Sequence, residues 1–297
     1  MVSSNSDTNY RGRFAPSPSG PLHAGSLIAA LGSYLDARAA DGQWLVRIED
    51  IDPPREVPGA DAVILSQLEA HGLHWDGPVR YQSQQHDLYQ RHLDDLHRAG
   101  LLYACDCTRK QIKARAPYYT GFCRSRGLAF EQNALRFFNQ NPVTTLHDRF
   151  HGSVTVQADW AGEDFILRRR DGLWAYQLAV VSDDREQGIT DIVRGSDLLT
   201  PTAWQLTLWQ ALNQVQQRTV RLPRLAHLPL VLGPDGRKLS KQNYAPAIDN
   251  NQAAANLTRA IGFLGMHLPT DLAGAAVELQ LDWAQAKWPS HVENFTV

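Results

Sequence analysis

Residues 11–48 constrain the fold of this chain more than any other stretch. Arg11-Gly-Arg-Phe-Ala15 reads as a short strand that runs into the turn-rich Pro16-Ser-Pro-Ser-Gly-Pro21. A helix follows, because Leu27, Leu31, Tyr34 and Leu35 recur at three- and four-residue spacing and Asp41-Gly42 supplies the stop. Trp44 to Ile48 is a compact apolar run, the pattern of a buried strand. Strand, loop, helix and strand in that order make a right-handed βαβ unit in a parallel sheet, so the fold class is α/β. A chain of 297 residues, 43% of them hydrophobic and 20% charged, has enough apolar material for a sizeable core and reads as roughly two domains.

Helical spacing recurs over Ala62–Ala70 and Leu88–Ala99, closed by Gly72 and Gly100. Phe165–Arg169 and Leu173–Val181 flank Asp171-Gly172, which predicts a hairpin. Ile189–Val193 reads as a strand, and a helix is predicted after it with Thr200 as N-cap and Pro201 at the first helical position. His227–Leu232 is a last strand, ending at Gly233-Pro-Asp-Gly236, and 245–297 is mildly acidic and partly helical.

Net charge is −2, which excludes a wholesale basic nucleic-acid binder but not a local basic face. No stretch approaches the ~20 apolar residues of a membrane-spanning helix. Met1–Asn9 is a polar tail without the apolar core of a signal peptide, so a cytoplasmic location is expected.

Two segments suit phosphate chemistry. Pro16 to Ser26 lies between a strand and a helix N-terminus, where unpaired N–H groups and the helix dipole attract anions. His23 can donate to a phosphate oxygen, and Gly25 admits a flat base close to the backbone. Lys238-Leu-Ser-Lys-Gln242 follows a strand and a turn, and its two lysines suit charge developing at an α-phosphate. Taken alone, His23 reads as a cap or surface residue and Lys-x-x-Lys as a solvated turn; their occurrence together, in order, favours the phosphate reading. No Gly-x-x-x-x-Gly-Lys-Ser/Thr occurs, so this is not a Walker loop.

These segments carry a family resemblance. Arg13-Phe-Ala-Pro-Ser-Pro-Ser-Gly-Pro-Leu-His-Ala-Gly-Ser26 resembles the first signature of class I aminoacyl-tRNA synthetases in their glutamyl form, and Lys238–Gln242 resembles the second. Arg47-Ile-Glu-Asp-Ile-Asp52, Tyr176–Val181 and Ile192–Leu198 are similar to further stretches of that catalytic domain, so the likeness runs over about residues 10–245. It departs at Ala24, Leu239 and Gln242, none of which removes a catalytic group. The resemblance implies a Rossmann-like parallel sheet with a small zinc-binding insertion. It also implies attack of a glutamate carboxylate on the α-phosphate of ATP, with Mg²⁺ on the phosphates.

Glutamate offers two carboxylates and an ammonium, so its pocket needs cationic clamps and one anion. Arg13, Arg194, Tyr176 and Glu49 are the right types. By resemblance, Arg13 and Arg194 face the carboxylates, Glu49 takes the ammonium and Tyr176 closes the pocket. Phe14, Ala15, Pro16 and Ser17 belong to the same site; His23, Gly25, Ser26 and Lys241 bind ATP; and His23, Lys238 and Lys241 are catalytic. The residues alone leave Arg194 readable as a surface arginine and Glu49 as an ion-pair partner, while Arg47, Asp50 and Asp52 read as structural pairing.

All three cysteines fall within 105–123, which speaks against a disulfide framework. Cys105, Cys107 and Cys123 suit a tetrahedral zinc site that lacks a fourth ligand, or are three unrelated thiols. The resembled family has a Cys-x-Cys…Tyr-x-x-x-Cys zinc site here, which makes Tyr119 the fourth ligand, with Tyr118 or a water as alternatives. Between Cys105 and Arg126 lie six basic residues (Arg109, Lys110, Lys113, Arg115, Arg124, Arg126) against Asp106, interleaved with Tyr118, Tyr119 and Phe122. That pattern is a nucleic-acid contact face or a solvated basic loop. Arg218, Arg221, Arg224, Arg237, Lys238 and Lys241 form a second basic stretch against Asp235.

The expected organisation is a tail over 1–9, halves of the catalytic domain over 10–100 and 151–245, an insertion over 101–150, and a short C-terminal region over 246–297. That last region is too small for an anticodon-binding domain. Its absence, with Arg55–Ala60 and the Cys/Tyr pattern, resembles the truncated paralog of the glutamyl enzymes. This implies glutamate activation without tRNA, then transfer to queuosine in the anticodon wobble position of tRNA(Asp), by a monomer with no membrane partner. The rivals are a compact enzyme charging the 3′ end of tRNA(Glu), a nucleotidylyltransferase with a His-x-Gly-His-like motif, and a non-catalytic RNA-binding module.

Overall fold

The computed structural model describes residues 10–233, 245–293 and 295. The expected βαβ unit is present as β1 (Arg11–Phe14), α1 (Ala24–Ala39) and β2 (Gln43–Ile48), with β1 and β2 parallel and Arg13 opposite Leu45. Then come α2 (Ala60–Ala70), β3 (Arg80–Tyr81) parallel to β2, and α3 (His86–Arg98). β4 (Leu102–Cys105), α4 (Arg109–Arg115), β5 (Ala134–Phe137), β6 (Thr145–Asp148), β7 (Gly152–Thr155), the one-turn α5 (Ala158–Ala161) and β8 (Ile166–Arg168) follow. α6 (Tyr176–Glu186), β9 (Asp191–Gly195), α7 (Thr202–Val215), β10 (Arg224–Leu228), α8 (Ala253–Phe263) and α9 (Val277–Val292) complete the described elements.

β9 lies beside β1, joined where the Thr190 N–H donates to the Arg11 carbonyl at 2.9 Å. β10 is parallel to both β9 and β6, and the strands run in space as β3-β2-β1-β9-β10-β6-β7. This is the Rossmann-like sheet that the resemblance implies, with β7 antiparallel at its edge and helices packed on it. β4, β5 and β8 form a separate antiparallel sheet, so the inserted layer reaches past residue 150 to Arg168.

The periodicity of α1 does what its spacing predicts: Leu27, Leu31 and Leu35 are all buried. A Cβ at Gly32 would lie 2.7 Å from Leu228 Cδ1, so glycine is what lets α1 sit this close to β10. Trp44 anchors the core beneath, stacked with Phe14 and edge-on to Tyr34, its indole N–H donating to Ser33 Oγ at 2.9 Å. A large side chain buried in this way contributes roughly 1.5–3 kcal/mol. Asp36, on the same helix, accepts from Arg149 at 2.6 and 2.9 Å and from Trp288 Nε1 at 2.9 Å, which ties α9 to the sheet domain.

Three local expectations are corrected. Leu173–Val181 is not the second arm of a hairpin: after a single bridge between Trp174 and Arg168 the chain turns into α6. A short continuous apolar run suits a buried helix as well as a buried strand, and here Leu178–Val181 is buried all round. α7 begins at Thr202 with Pro201, which offers no side-chain cap bond, as its cap residue in place of Thr200. β10 spans Arg224–Leu228 rather than His227–Leu232, because its pairing with β9 is set by Arg224 opposite Asp191.

Candidate functional site

The Pro16–Ser26 loop crosses the C-terminal ends of β1 and β2. It is pinned by backbone bonds from Glu49 N–H to the Pro16 carbonyl at 3.0 Å and from Val57 N–H to the Pro18 carbonyl at 2.9 Å. Gln67 Oε1 accepts from the Leu22 N–H at 2.7 Å. His23 is the N-cap of α1: its Nδ1 accepts from the Ser26 N–H at 3.3 Å, while Ser26 Oγ accepts from the His23 N–H at 2.7 Å. The capping and phosphate readings are therefore compatible, because an accepting Nδ1 places the proton of the neutral ring on Nε2, where it is a donor. A Cβ at Gly25 would come within 3.1 Å of His23 Cε1 and 3.2 Å of its Nδ1, so glycine makes room for this ring pose.

Lys238 and Lys241 lie outside the described residues. The chain on either side of them is at the loop: Val231 lies near Gly25, and Ala247 bridges to His23.

A cleft of about 750 Å³ opens beside this loop, lined by Arg13, Phe14, Ala15, Pro16, Ser17, His23, Gly25, Ser26, Glu49, Tyr176 and Arg194. The structure thus brings together every site residue expected from the sequence that lies among the described residues, the cysteine cluster apart. Arg194, which the residues alone left open to a surface reading, is only 6% exposed, and Arg13 is 3% exposed.

Two buried networks hold these cations, and of the partners in them the sequence pointed only to Arg47 as structural pairing and to Glu49 as an ion-pair partner. Arg13 donates to both carboxylate oxygens of Asp184, at 3.1 and 3.3 Å, and Arg47 donates to the same Oδ1 at 2.7 Å. Arg47 also reaches Glu49 Oε1 at 3.2 Å. Burial opposes ionisation of Asp184, yet Arg13 and Arg47 win and hold its carboxyl below the usual range. Glu49 goes the other way: burial outweighs Arg47 and Arg13 and pushes its carboxyl up. A substrate ammonium beside Glu49 would favour its charged form. Asp183, next to Asp184, accepts from Arg80, Gln82 and Tyr89 at 3.1, 2.8 and 2.7 Å. The structural pairing expected of Arg47, Asp50 and Asp52 is present, with Asp50 taking both donors of Ser83 and Asp52 the Arg169 guanidinium.

Arg194 has neutral partners throughout. Its Nε donates to His227 Nε2 at 3.1 Å and its Nη2 to Thr202 Oγ1 and Gln205 Oε1 at 2.7 and 2.6 Å. Among the described residues its Nη1 is buried without a hydrogen-bond partner. A buried orphan donor on a cation lining a cleft is where an anionic ligand oxygen fits. The sequence signal that could have exposed the first network is the Asp183-Asp184 pair one residue beyond the apolar run Leu178–Val181, since buried acids require cations.

The three cysteines form a separate cluster under β4, with their sulfurs within 4.8 Å of one another and Cys107 Sγ 3.5 Å from Cys123 Sγ. Tyr119 is fully buried beside them, accepting from the Cys123 N–H at 3.1 Å, and its hydroxyl interacts with Cys105 and Cys123. The Arg136 guanidinium covers the Tyr119 ring at 3.7 Å. Tyr118 bonds instead to Gln157. Burial and its sulfur neighbours push the Cys107 thiol up to about 12; burial also acts on Cys123, but hydrogen bonds from Tyr119 and Arg126 bring it below the usual value. Three thiols this close cannot all ionise without a cation, so the donor set fits a soft, thiolate-binding metal.

The basic face is smaller than the sequence count. Arg124 is held by Asp164 at 2.6 and 2.7 Å and Arg126 by Asp106, while Arg109, Lys110, Lys113 and Arg115 stand exposed on α4. Of the second stretch, Arg224 pairs with Asp191 and residues 237–241 lie outside the described part.

Comparison with known proteins follows the same lines. The family model described as tRNA synthetases class I (E and Q), catalytic domain, matches residues 9–121 and 122–264. The chain is 57% identical over 279 residues to the glutamyl-Q tRNA(Asp) synthetase of Idiomarina loihiensis, covering 94% of this chain and 96% of that protein. It is 52% identical to the one of Vibrio cholerae, covering 95% and 91%. A solved glutamate-tRNA synthetase from Elizabethkingia anophelis shares the fold with a TM-score of 0.65 and 30% identity, over 80% of this chain and 53% of that one. The chain therefore spans about half the length of that solved enzyme. On the family model and these relatives together, the chain belongs to the class I tRNA synthetases of the E and Q type, within the glutamyl-Q tRNA(Asp) synthetase family.

Proposed function

We propose that this chain activates L-glutamate with ATP, without tRNA, and transfers it to queuosine in the anticodon wobble position of tRNA(Asp). The observation that carries the first half is the cleft that joins the capped loop to Arg13, Glu49, Tyr176 and Arg194. The acceptor rests on the relatives' names and their high identity.

In this reading Arg194 Nη1 and Arg13 receive the substrate carboxylates, and Glu49 receives the ammonium. The α-carboxylate oxygen then attacks the α-phosphorus of ATP, forming the mixed anhydride as pyrophosphate leaves. His23 Nε2–H and the N-terminal amides of α1 hold phosphate oxygens, and Lys238 and Lys241 take up charge on the leaving group. Mg²⁺, when bound with ATP, would supply further neutralisation of that charge. Catalysis is by positioning and electrostatics, with no protein nucleophile. In the second step a hydroxyl of the cyclopentene-diol attacks the glutamyl carbonyl and AMP leaves.

The test is labelled-glutamate transfer to tRNA(Asp) with and without queuosine, with tRNA(Glu) alongside. Labelling only of the queuosine-bearing tRNA is expected. Equal labelling of both forms of tRNA(Asp), or labelling of tRNA(Glu), overturns the acceptor. Failure of glutamate to support ATP–pyrophosphate exchange overturns the activation as well.

Cys105, Cys107, Cys123 and Tyr119 would hold Zn²⁺, whose part is to order the β4–β5–β8 layer rather than to react. Cys105→Ser is expected to lower the protein's bound zinc and to reduce transfer to tRNA by about tenfold or more, with exchange nearly unchanged. Elemental analysis and the two assays check it; a full zinc complement, or equal loss in both assays, refutes the separation of roles. In the same reading 10–100 and 151–245 are the catalytic halves and 101–150 the insertion, with β6 of the insertion stretch paired into the catalytic sheet and β8 of the second half paired into the inserted one. The protein is a cytoplasmic monomer, and no helix among the described residues is long and apolar enough to cross a membrane.

A further inference from the structure

Arg194 is supported from one side by a line of residues drawn from three neighbouring strands. In the parallel pairing of β9 with β10, Arg194 stands opposite His227, and Asp148 closes β6 on the far side of β10. His227 Nδ1 lies 2.6 Å from Asp148 Oδ2, and its Nε2 accepts from Arg194 Nε at 3.1 Å. His227 is fully buried and Asp148 only 1% exposed. Asp148 also accepts from the backbone N–H groups of Phe150, His151 and His227, so its carboxylate is fixed from several directions.

We propose that Asp148 and His227 are positioning residues for Arg194: together they orient its guanidinium toward the substrate carboxylate while leaving its charge available. The inference rests on the reading that Arg194 receives that carboxylate. Asp148 accepts the Nδ1 proton, which makes Nε2 of the neutral ring an acceptor, and only an acceptor can meet Arg194 Nε–H. The opposite tautomer would set two donors against each other.

The contrast with Arg13 gives the arrangement its meaning. Arg13 is bound directly and bidentately by Asp184, which compensates its charge on the spot. Among the described residues Arg194 donates to neutral acceptors only, and the nearest acid on this line, Asp148, is one imidazole away. A direct carboxylate partner would fix the fork equally well but would compete with the substrate for it. The imidazole transmits the orientation without the neutralisation. Burial and the facing Arg194 keep His227 neutral despite Asp148, its pKa falling to about 4, with His151 adding to the effect. Thr202 completes the cradle: its hydroxyl donates to the Leu198 carbonyl at 2.7 Å, which leaves its oxygen to accept from Arg194.

The experiment is glutamate-dependent ATP–pyrophosphate exchange on the full chain, with KM for glutamate and for ATP measured separately. Asp148→Asn can present an amide N–H to Nδ1 and so reverse the tautomer; it is expected to raise KM for glutamate about tenfold or more with KM for ATP unchanged, in line with losses at other outer partners of a binding group. His227→Leu, which has no acceptor, should behave the same way. His227→Gln, whose carboxamide oxygen can reach the Nε2 position, should restore KM for glutamate to within about threefold of the starting protein. Restoration by glutamine but not by leucine separates positioning from packing, because a packing role follows volume and not the acceptor. If glutamate supports exchange and His227→Leu keeps the original KM for glutamate, or all three variants shift both KM values alike, the positioning role is wrong. If glutamate supports no exchange even in the unmodified protein, the reading of the site has failed and this inference with it.

Discussion

Asp184→Ala is expected to lower folding stability by about 3–5 kcal/mol, the cost of leaving buried charge without its partner. Arg13 and Arg47 both end on this carboxylate, with Arg47 fully buried and Arg13 nearly so. Removing Asp184 leaves two guanidiniums in a dry site that retains Glu49 and, at 3.9 Å from Arg47, Asp183. Urea unfolding followed by tryptophan fluorescence measures the loss; a change below about 1 kcal/mol would mean that solvent or a rearranged Glu49 replaces the carboxylate. Asp183→Asn is expected to be milder. Burial outweighs the cations around Asp183 and raises its carboxyl pKa, and an asparagine oxygen can still accept from Tyr89 and Gln82. The pH dependence has a definite sign. Asp184 has its folded pKa below the unfolded value near 3.8, so its contribution is complete above that value and disappears as pH falls through the lower folded one. Asp183 opposes this, since a raised folded pKa costs stability at neutral pH and the cost is relieved as the group protonates. The Asp184→Ala variant should therefore lose less additional stability below pH 4 than the unmodified chain does.

The parts of this architecture that could be read from the sequence are those in which the determining residues are close together. The β1–α1–β2 unit is set by an apolar period and a glycine-rich stop within 38 residues, from Arg11 to Ile48. The cysteine cluster is likewise local, and the tyrosine predicted to join it does stand beside the sulfurs. What the sequence withheld is long-range. His227 is 33 residues from Arg194 and 79 from Asp148, and Arg13 is 171 from Asp184. No periodicity or spacing rule links such residues; they meet only because β9, β10 and β6 are adjacent and because α6, packed on α3 and α7, brings Asp184 to Arg13. The misread hairpin at Asp171-Gly172 has the same origin. The turn signal was real, as the Gly172 N–H does bond to the Arg169 carbonyl, but tertiary packing of Leu178–Val181 decided that the next element is a helix.

Arg194→Lys tests the site most severely, because it keeps the charge and alters only the geometry. The guanidinium serves two sets of partners at once: Nε and Nη2 are committed to His227, Thr202 and Gln205, and Nη1 is the donor left for the ligand. An ammonium carries three donors on one atom and cannot span the two sides, so either the buried acceptors or the substrate lose their partner. The expected result is a rise of roughly 10²-fold or more in KM for glutamate in pyrophosphate exchange, since two charge-assisted hydrogen bonds at about 1.5 kcal/mol each amount to about 3 kcal/mol. KM for ATP is expected to hold, because in the proposed reading ATP is held at the Pro16–Ser26 loop rather than at Arg194 in the middle of the sheet. Far-ultraviolet dichroism and the urea midpoint separate this from misfolding. A change of less than threefold in KM for glutamate would show that Nη1 is not the carboxylate donor, and Arg13, whose charge Asp184 already compensates, would then have to bear the discrimination alone.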